Sequence, residues 1–232
     1  MNTASFSIKE ALGFGWAMTK EKFWFLLALL LISMFFSMLP DIADEFMNNE
    51  PLIFFIQVVS FVLGFVIDAG LIYVMLRLHD GKDAKLEHLF SQYPITFQYF
   101  VATAAYTLMV LAGALFLIVP GIYLGLRYQF FSYFLVDKNA SIADSFKESA
   151  KITEGQKWQL FRFGLALIGV NILGLLVFVV GLFVTVPLSM LATAYVYRKL
   201  SSPIAEEEST EDKEAETFLK TLEDDGIVPE RV

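Results

Sequence analysis

The chain has 232 residues, of which 56% are hydrophobic, and a mean hydropathy of +0.60. Soluble domains hold roughly 45–50% apolar residues, so this composition excludes an ordinary soluble fold. The net charge of −8 comes entirely from residues 201–232, which hold eleven acids and three bases, whereas the first 200 residues hold fourteen of each.

Four long apolar regions follow one another along the first 200 residues. A helix needs about 20 apolar residues to cross a bilayer, because no water inside the membrane can satisfy exposed backbone groups. Two of the regions are too long for one helix each and suit two short helices. The sequence therefore predicts six spans, at about 23–39, 51–77, 98–118, 121–136, 160–180 and 182–198.

Two pairs of helix-breaking residues define the shorter spans. Pro120 and Gly121 are predicted to form the turn between the third and fourth spans, since proline stops a helix and glycine accepts positive φ. Gly181 and Pro187 are the candidate breakers between the fifth and sixth spans. For residues 160–198, a single long helix kinked at the proline stays open as an alternative.

The connector charges predict the orientation in the membrane, because lysine and arginine are retained on the cytoplasmic side. The connector between the first two spans, residues 41–50, carries only acids. Basic residues recur at every second connector, which places both termini in the cytoplasm. These are Lys9, Lys20, Lys22, Arg77, Lys82, Lys85, Lys138, Lys147, Lys151, Lys157, Arg198 and Lys199.

A short amphipathic helix is predicted before each odd-numbered span. Ser7 followed by Glu10 has the capping-box pattern, and Ser141 followed by Asp144 repeats it with a similar apolar stripe. The segment after Asp83 is a weaker third copy. The predicted fold class is an all-α membrane protein of three transmembrane hairpins, each preceded by an interfacial helix.

The runs 118–127, 134–137, 141–149 and 155–158 carry a family resemblance. They resemble the membrane domain attached to some bacterial glycerophosphoryl diester phosphodiesterases, and related stand-alone multispan proteins, over about residues 5–200. The resemblance implies a six-helix protein of the bacterial inner membrane with an unknown molecular role. It implies no phosphodiesterase activity, because catalysis in those enzymes belongs to a separate soluble barrel domain.

Asp68 and Arg127 are the two charged residues that stand well inside the predicted spans. A charge near the bilayer centre costs roughly 2.5–3.5 kcal/mol on insertion scales, so such residues are candidate functional groups. Both lie about 14 Å above the cytoplasmic boundary at 1.5 Å per residue, and we expect them to form an ion pair, either structural or for transport. A protonated Asp68 that relays protons is the alternative. Asn171 is expected to hydrogen-bond a neighbouring helix.

No motif for catalysis, cofactor binding or nucleic-acid binding stands out in the sequence. Phosphate loops and nucleophile elbows are absent, and the lack of cysteine excludes disulfides and thiolate metal sites. His79 and His88 fall in a charged connector and are interpreted as solvated residues, not as a metal pair. We therefore expect no enzyme activity, no metal and no cofactor.

The acidic segment 201–232 is predicted to be a largely disordered cytoplasmic tail that can engage a cytoplasmic protein. The sequence favours a non-enzymatic membrane protein that organises or binds partners. Membrane lipids are its expected surroundings, and the sequence predicts no oligomeric state. A small transporter or lipid-handling protein that uses Asp68 and Arg127 is the alternative.

Overall fold

The computed structural model of the protein describes residues 5–177 and 180–202, and this part of the chain holds helices and turns without a β-strand. It includes two short 3-10 helices, Leu86–Leu89 and Tyr93–Ile95. The predicted acidic tail, from residue 203 onward, lies outside the described residues. The α-helices are α1 (Ile8–Glu21), α2 (Phe23–Phe46), α3 (Glu50–His79), α4 (Thr96–Phe116), α5 (Ile118–Tyr128), α6 (Phe131–Lys138), α7 (Ile142–Ile152), α8 (Lys157–Leu176) and α9 (182–202).

Four helical segments in the described part of the chain are long and apolar enough to cross a membrane. They are Phe23–Phe46, Glu50–His79, Leu86–Phe116 and Lys157–Leu176, and they coincide with the first, second, third and fifth predicted spans. Only 11–28% of each apolar window is buried within the protein, so most of these side chains are left for lipid. The protein is thus an all-helical membrane protein, while the arrangement of six spans stays a prediction.

The turn between α4 and α5 lies at Leu117, three residues before the predicted Pro120-Gly121 turn. Leu117 is extended, with φ −164° and ψ 149°, and α5 begins at the next residue. Pro120 is tolerated in the first turn of α5, where backbone N–H groups have no helical partner. Gly121 serves packing instead, because a Cβ there would lie 2.9 Å from Ala114 on α4.

The predicted fourth span, 121–136, is broken into α5 and α6 near Phe130. Hydroxyl groups of α7 satisfy the backbone groups that the break frees. Ser149 Oγ accepts a hydrogen bond from Phe130 N at 3.1 Å, and Ser149 and Thr153 both donate to the carbonyl of Arg127, at 3.2 and 2.9 Å. The expectation of one continuous helix was therefore wrong, because α7 offers the chain other hydrogen bonds at this point.

Helices α8 and α9 lie side by side. Asn171 Nδ2 donates to Ser189 Oγ at 2.9 Å, although these residues would be about 27 Å apart in one continuous helix. Gly174 and Gly181 allow the close approach, since a Cβ on Gly181 would lie 2.4 Å from the carbonyl oxygen of Gly174. The hydrogen bond predicted for Asn171 is confirmed.

The predicted caps of α1 and α7 are present. Ser7 Oγ accepts from Glu10 N at 3.4 Å, and Ser141 Oγ accepts from Asp144 N at 3.2 Å. Each helix precedes a long apolar one, as the repeat pattern indicates. The weaker copy after Asp83 differs, since it forms the two short 3-10 helices and no α-helix.

The buried side chains gather at one end of the molecule, which we call the base. The base contains α1, α6 and α7 together with the first halves of α2 and α8 and the second halves of α3 and α9. Its buried members include Ala11, Leu26, Leu29, Val74, Met75, Phe134, Ile152, Leu160, Leu191 and Tyr197. The opposite ends of the long helices, called the apolar ends, expose large side chains such as Phe46, Phe54, Phe116 and Leu176.

Arg198 on α9 joins three helices within the base. Its guanidinium donates to both carboxylate oxygens of Asp80, at 2.9 and 2.8 Å, and to Asp137 Oδ2 at 2.6 Å. Tyr197 donates to the same Asp137 oxygen at 2.9 Å. The side chains of Arg198, Asp80 and Asp137 retain 17–24% exposure, and a bidentate pair of this kind is among the stronger hydrogen-bonding arrangements. Arg198 thereby fixes the ends of α3 and α6 against α9.

Replacing Arg198 with glutamine is expected to destabilise the base, because two half-buried carboxylates lose their shared cation. The expected loss is about 2–3 kcal/mol, or about 5–10 °C in melting temperature for a chain of this size. Thermal unfolding of the purified full chain in mild detergent measures it. Lys199→Gln, an exposed neighbour with the same charge change, is the matched control and should melt with wild type. Equal effects of the two substitutions would contradict the role of Arg198.

The stability contributed by Asp80 is expected to disappear in acid. Burial alone would raise the pKa of the Asp80 carboxyl, but the hydrogen bond and charge of Arg198, with His79 and Lys82, hold that pKa below its ordinary value. A carboxyl with a lowered pKa stabilises the fold above its unfolded pKa of about 3.9, and the contribution is lost as the pH falls through the folded pKa.

The melting temperatures of wild type and Asp80→Asn should therefore differ most above about pH 5 and converge in stronger acid. In an Arg198→Gln background the same comparison should give little change with pH, because the partner that lowers the pKa is gone. A difference that grows on acidification would show that the sign of this linkage is wrong.

Candidate functional site

Asp68 lies on α3 and lines a recess of about 390 Å³ between α2 and α3. Its side chain is exposed within the isolated chain, and among the described residues no basic group lies within 4 Å of its carboxylate. One of the residues that line the recess, Phe61, is 59% exposed, so the recess adjoins the outer surface of the helices. The lining residues are Phe36, Ser37, Pro40, Gln57, Ser60, Phe61, Gly64, Phe65 and Asp68.

The six lining residues of α3 form one continuous helical face, because they are spaced three or four apart from position 57 to position 68. Gln57, Ser60 and Asp68 put polar groups along three turns of this otherwise apolar face. Gly64, in the middle, leaves open space, since an added Cβ would meet nothing within 4 Å. The face therefore has polar groups at its ends and room for another chain or ligand at its centre.

Pro40 adds a backbone acceptor on the α2 side of the recess. It lies inside α2 and has no N–H, so the carbonyl of Phe36 lacks its usual helical donor. Together with the Asp68 carboxylate, this carbonyl makes the recess rich in hydrogen-bond acceptors. The arrangement suits a group that donates hydrogen bonds, such as an amine, a guanidinium, an amide or a hydroxyl.

Arg127 lies apart from Asp68, and the ion pair predicted between them is not formed in the structure. The guanidinium of Arg127 donates to the Tyr123 hydroxyl at 3.4 Å and lies over the Tyr128 ring. The depth predicted for Arg127 assumed a continuous fourth helix, whereas the break after α5 holds its backbone against α7. A separate role for each charge in the membrane stays a prediction.

Arg127 belongs instead to a cluster with Tyr123 and Lys157, which we call the tyrosine cluster. Lys157 Nζ donates to the Tyr123 hydroxyl at 3.0 Å and lies 4.5 Å from the centre of the ring. Lys157 is the first residue of α8, and the other two stand one helical turn apart on α5. Sequence analysis missed this cluster, since only the spacing of Tyr123 and Arg127 was visible and the contact with Lys157 joins distant residues.

The two histidines have separate surroundings. His79 contacts the rings of Phe14 and Tyr195, and the ring nitrogen Nδ1 of His88 accepts from Lys85 N at 3.0 Å. Across residues 5–177 and 180–202, no group of three or more His, Asp or Glu side chains is placed to hold a metal ion. The predicted absence of a cofactor and of catalysis stays a prediction.

Comparison with known proteins gives one family match. A family model described as a protein of unknown function (DUF975) matches residues 98–203, a little under half of the chain. The matched segment includes the tyrosine cluster and Arg198, while Asp68 lies outside it. No curated protein and no solved structure gives a significant match. No match links the chain to the membrane domain of glycerophosphoryl diester phosphodiesterases, so that resemblance stays a prediction. From residue 98 to residue 203, the chain is thus similar to a family of unknown function.

Proposed function

We propose that this integral membrane protein is a non-enzymatic, partner-binding protein whose α2–α3 face receives a transmembrane helix of another membrane protein. The observation that carries the proposal is the presence of Gln57 and Asp68, both exposed, on a face of α3 that otherwise meets lipid. The partner helix is expected to carry a hydroxyl, amide or basic side chain opposite Asp68. The negative charge of Asp68 favours a partner that offers a hydrogen-bond donor or a positive charge.

The free-energy cost of placing Asp68 in lipid favours a partner. A carboxylate that faces hydrocarbon costs roughly 2.5–3.5 kcal/mol on insertion scales, and no cation within the described residues offsets this cost. Polar side chains that bond across helices are a recurrent means of association in membranes, worth about 0.6–2 kcal/mol each. A donor on a partner helix would therefore relieve the cost and give the contact its specificity.

The proposed location is a bacterial cytoplasmic membrane, with the base and both termini on the cytoplasmic side. The basic residues Arg77, Lys82 and Lys85 lie near the end of α3 that belongs to the base, whereas the connector between α2 and α3 carries acidic residues. Retention of lysine and arginine in the cytoplasm supports this orientation. The acidic tail, outside the described residues, would then be free to bind a cytoplasmic protein.

A small transporter or lipid-handling protein is the second candidate. The observation that favours it is the recess itself, whose volume of about 390 Å³ fits a small polar group entering from the lipid side. Arg127 does not line this recess, so among the described residues the recess does not bring together the two charges that transport was expected to use. For that reason the partner-binding function is preferred.

A photo-crosslinking residue placed at Gly64 should capture a partner helix in native membranes, because that position is open and lies within the recess. The same residue at Gly169, an exposed glycine on α8 with equally open surroundings, is the matched control. We expect a discrete adduct at position 64 and none at 169. Mass spectrometry identifies whether the adduct holds another membrane protein, a second copy of the chain or a lipid.

Asp68→Leu should reduce the position-64 adduct at least about fivefold, since it removes the acceptor that the partner needs. Size-exclusion chromatography in mild detergent verifies that the variant stays folded. An adduct at position 64 that is unaffected by Asp68→Leu, or equal adducts at both positions, would rule out an Asp68-dependent partner. An adduct with lipid alone would favour the lipid-handling function.

A further inference from the structure

We propose that the tyrosine cluster is a binding site for a phosphate group, carried by an anionic lipid headgroup or by free phosphate. This site is separate from the Asp68 recess and does not depend on the proposed partner. Three residues from two helices form it, and all three lie within the segment that matches the family model.

Two cations converge on one neutral oxygen in the cluster. The Tyr123 hydroxyl accepts from Lys157 Nζ at 3.0 Å and from Arg127 Nη1 at 3.4 Å. No carboxylate of the described residues lies within 4 Å of either cation. Two like charges held together in this way repel each other, and an anion between them would remove the repulsion.

Arg127 also has an unused donor. Its Nη2 makes no hydrogen bond within the described part of the chain, and the guanidinium presents its donors in a fixed fork that matches phosphate oxygens. The Tyr123 hydroxyl can donate its own proton to the same anion. Arginine, lysine and tyrosine together thus offer more donors than acceptors, which is the composition that recognises phosphate.

The cluster is accessible from the membrane surface. Tyr123 is 41% exposed, and Trp158, the residue after Lys157, is 70% exposed and stacks on Phe161. An exposed tryptophan at the start of a transmembrane helix is typical of the headgroup level of a bilayer. The two cations are therefore placed where phosphates of lipid headgroups, or phosphate from the adjoining water, can reach them.

Native mass spectrometry of the full chain in detergent tests the site with defined probes. Dioleoylphosphatidylglycerol supplies a headgroup phosphate, dioleoylglycerol supplies the same chains without it, and inorganic phosphate supplies the free ion. We expect retention of phosphatidylglycerol over dioleoylglycerol. Lys157→Gln and Arg127→Gln should each weaken phosphatidylglycerol binding about tenfold. Arg162→Gln, an exposed base on the same helix, should leave it unchanged.

Melting temperatures measured in the same detergent, with phosphatidylglycerol or with inorganic phosphate, distinguish the two sources of the phosphate group. If phosphatidylglycerol stabilises wild type and millimolar inorganic phosphate does not, the ligand is a lipid headgroup. If inorganic phosphate stabilises wild type but not Lys157→Gln, the free ion also binds. Tyr123→Phe keeps the ring and both cations but removes the hydroxyl, and it should weaken phosphatidylglycerol binding by several fold. Weaker binding in this variant would show that the losses in the charge variants do not come from a folding defect. Equal binding of phosphatidylglycerol by wild type, Lys157→Gln and Tyr123→Phe would overturn the proposal.

Discussion

The inability of hydrocarbon to hydrogen-bond is the constraint on which the rest of the structure depends. Most of the described charged and hydroxyl-rich contacts gather at the base, where α3, α6 and α9 converge on Arg198. The apolar ends of the long helices expose large side chains that are left to lipid, apart from the close contacts between α4 and α5 and between α8 and α9. The described part of the protein is in this sense held together mainly at one end.

The same constraint bears on the break in the predicted fourth span. A break at membrane depth is tolerated only where the freed backbone groups find partners, and Ser149 and Thr153 provide them here. Their hydrogen bonds also fix the position of Arg127. The tyrosine cluster depends on this placement, since α8 begins five residues after α7 ends and contributes Lys157.

Much of the fold could be predicted from hydropathy and capping alone. The four apolar segments and the caps at Ser7 and Ser141 follow from local patterns, in which neighbours along the chain decide the outcome. A hydrogen bond of Asn171 could be expected because an amide inside an apolar helix needs a partner, although its partner, Ser189, lies 18 residues away. The α5–α6 break could not be predicted, because its hydroxyl partners lie 19–26 residues away. The contacts of Arg198 join residues 61 and 118 positions apart and leave no local signal. Asp68 could be identified by its charge. The prediction that Arg127 is its partner was wrong, because the predicted depth of Arg127 assumed a helix that does not continue past α5.

The two polar sites differ in the hydrogen-bonding groups that they present. The Asp68 recess is rich in acceptors, whereas the tyrosine cluster is rich in donors and lies beside an exposed tryptophan. The proposals assign recognition to both, of a neighbouring helix in one case and of a phosphate in the other.

We propose that the base and the connector between α2 and α3 lie on opposite sides of a membrane, and side-specific labelling tests this proposal most directly. The chain has no cysteine, so single cysteines at Asn48, between α2 and α3, and at Lys85, beside the base, are unambiguous reporters. A membrane-impermeant maleimide should label position 48 in intact cells and position 85 only after the membrane is opened. Labelling of both positions from the same side, or recovery of the protein in the supernatant without detergent, would contradict the account.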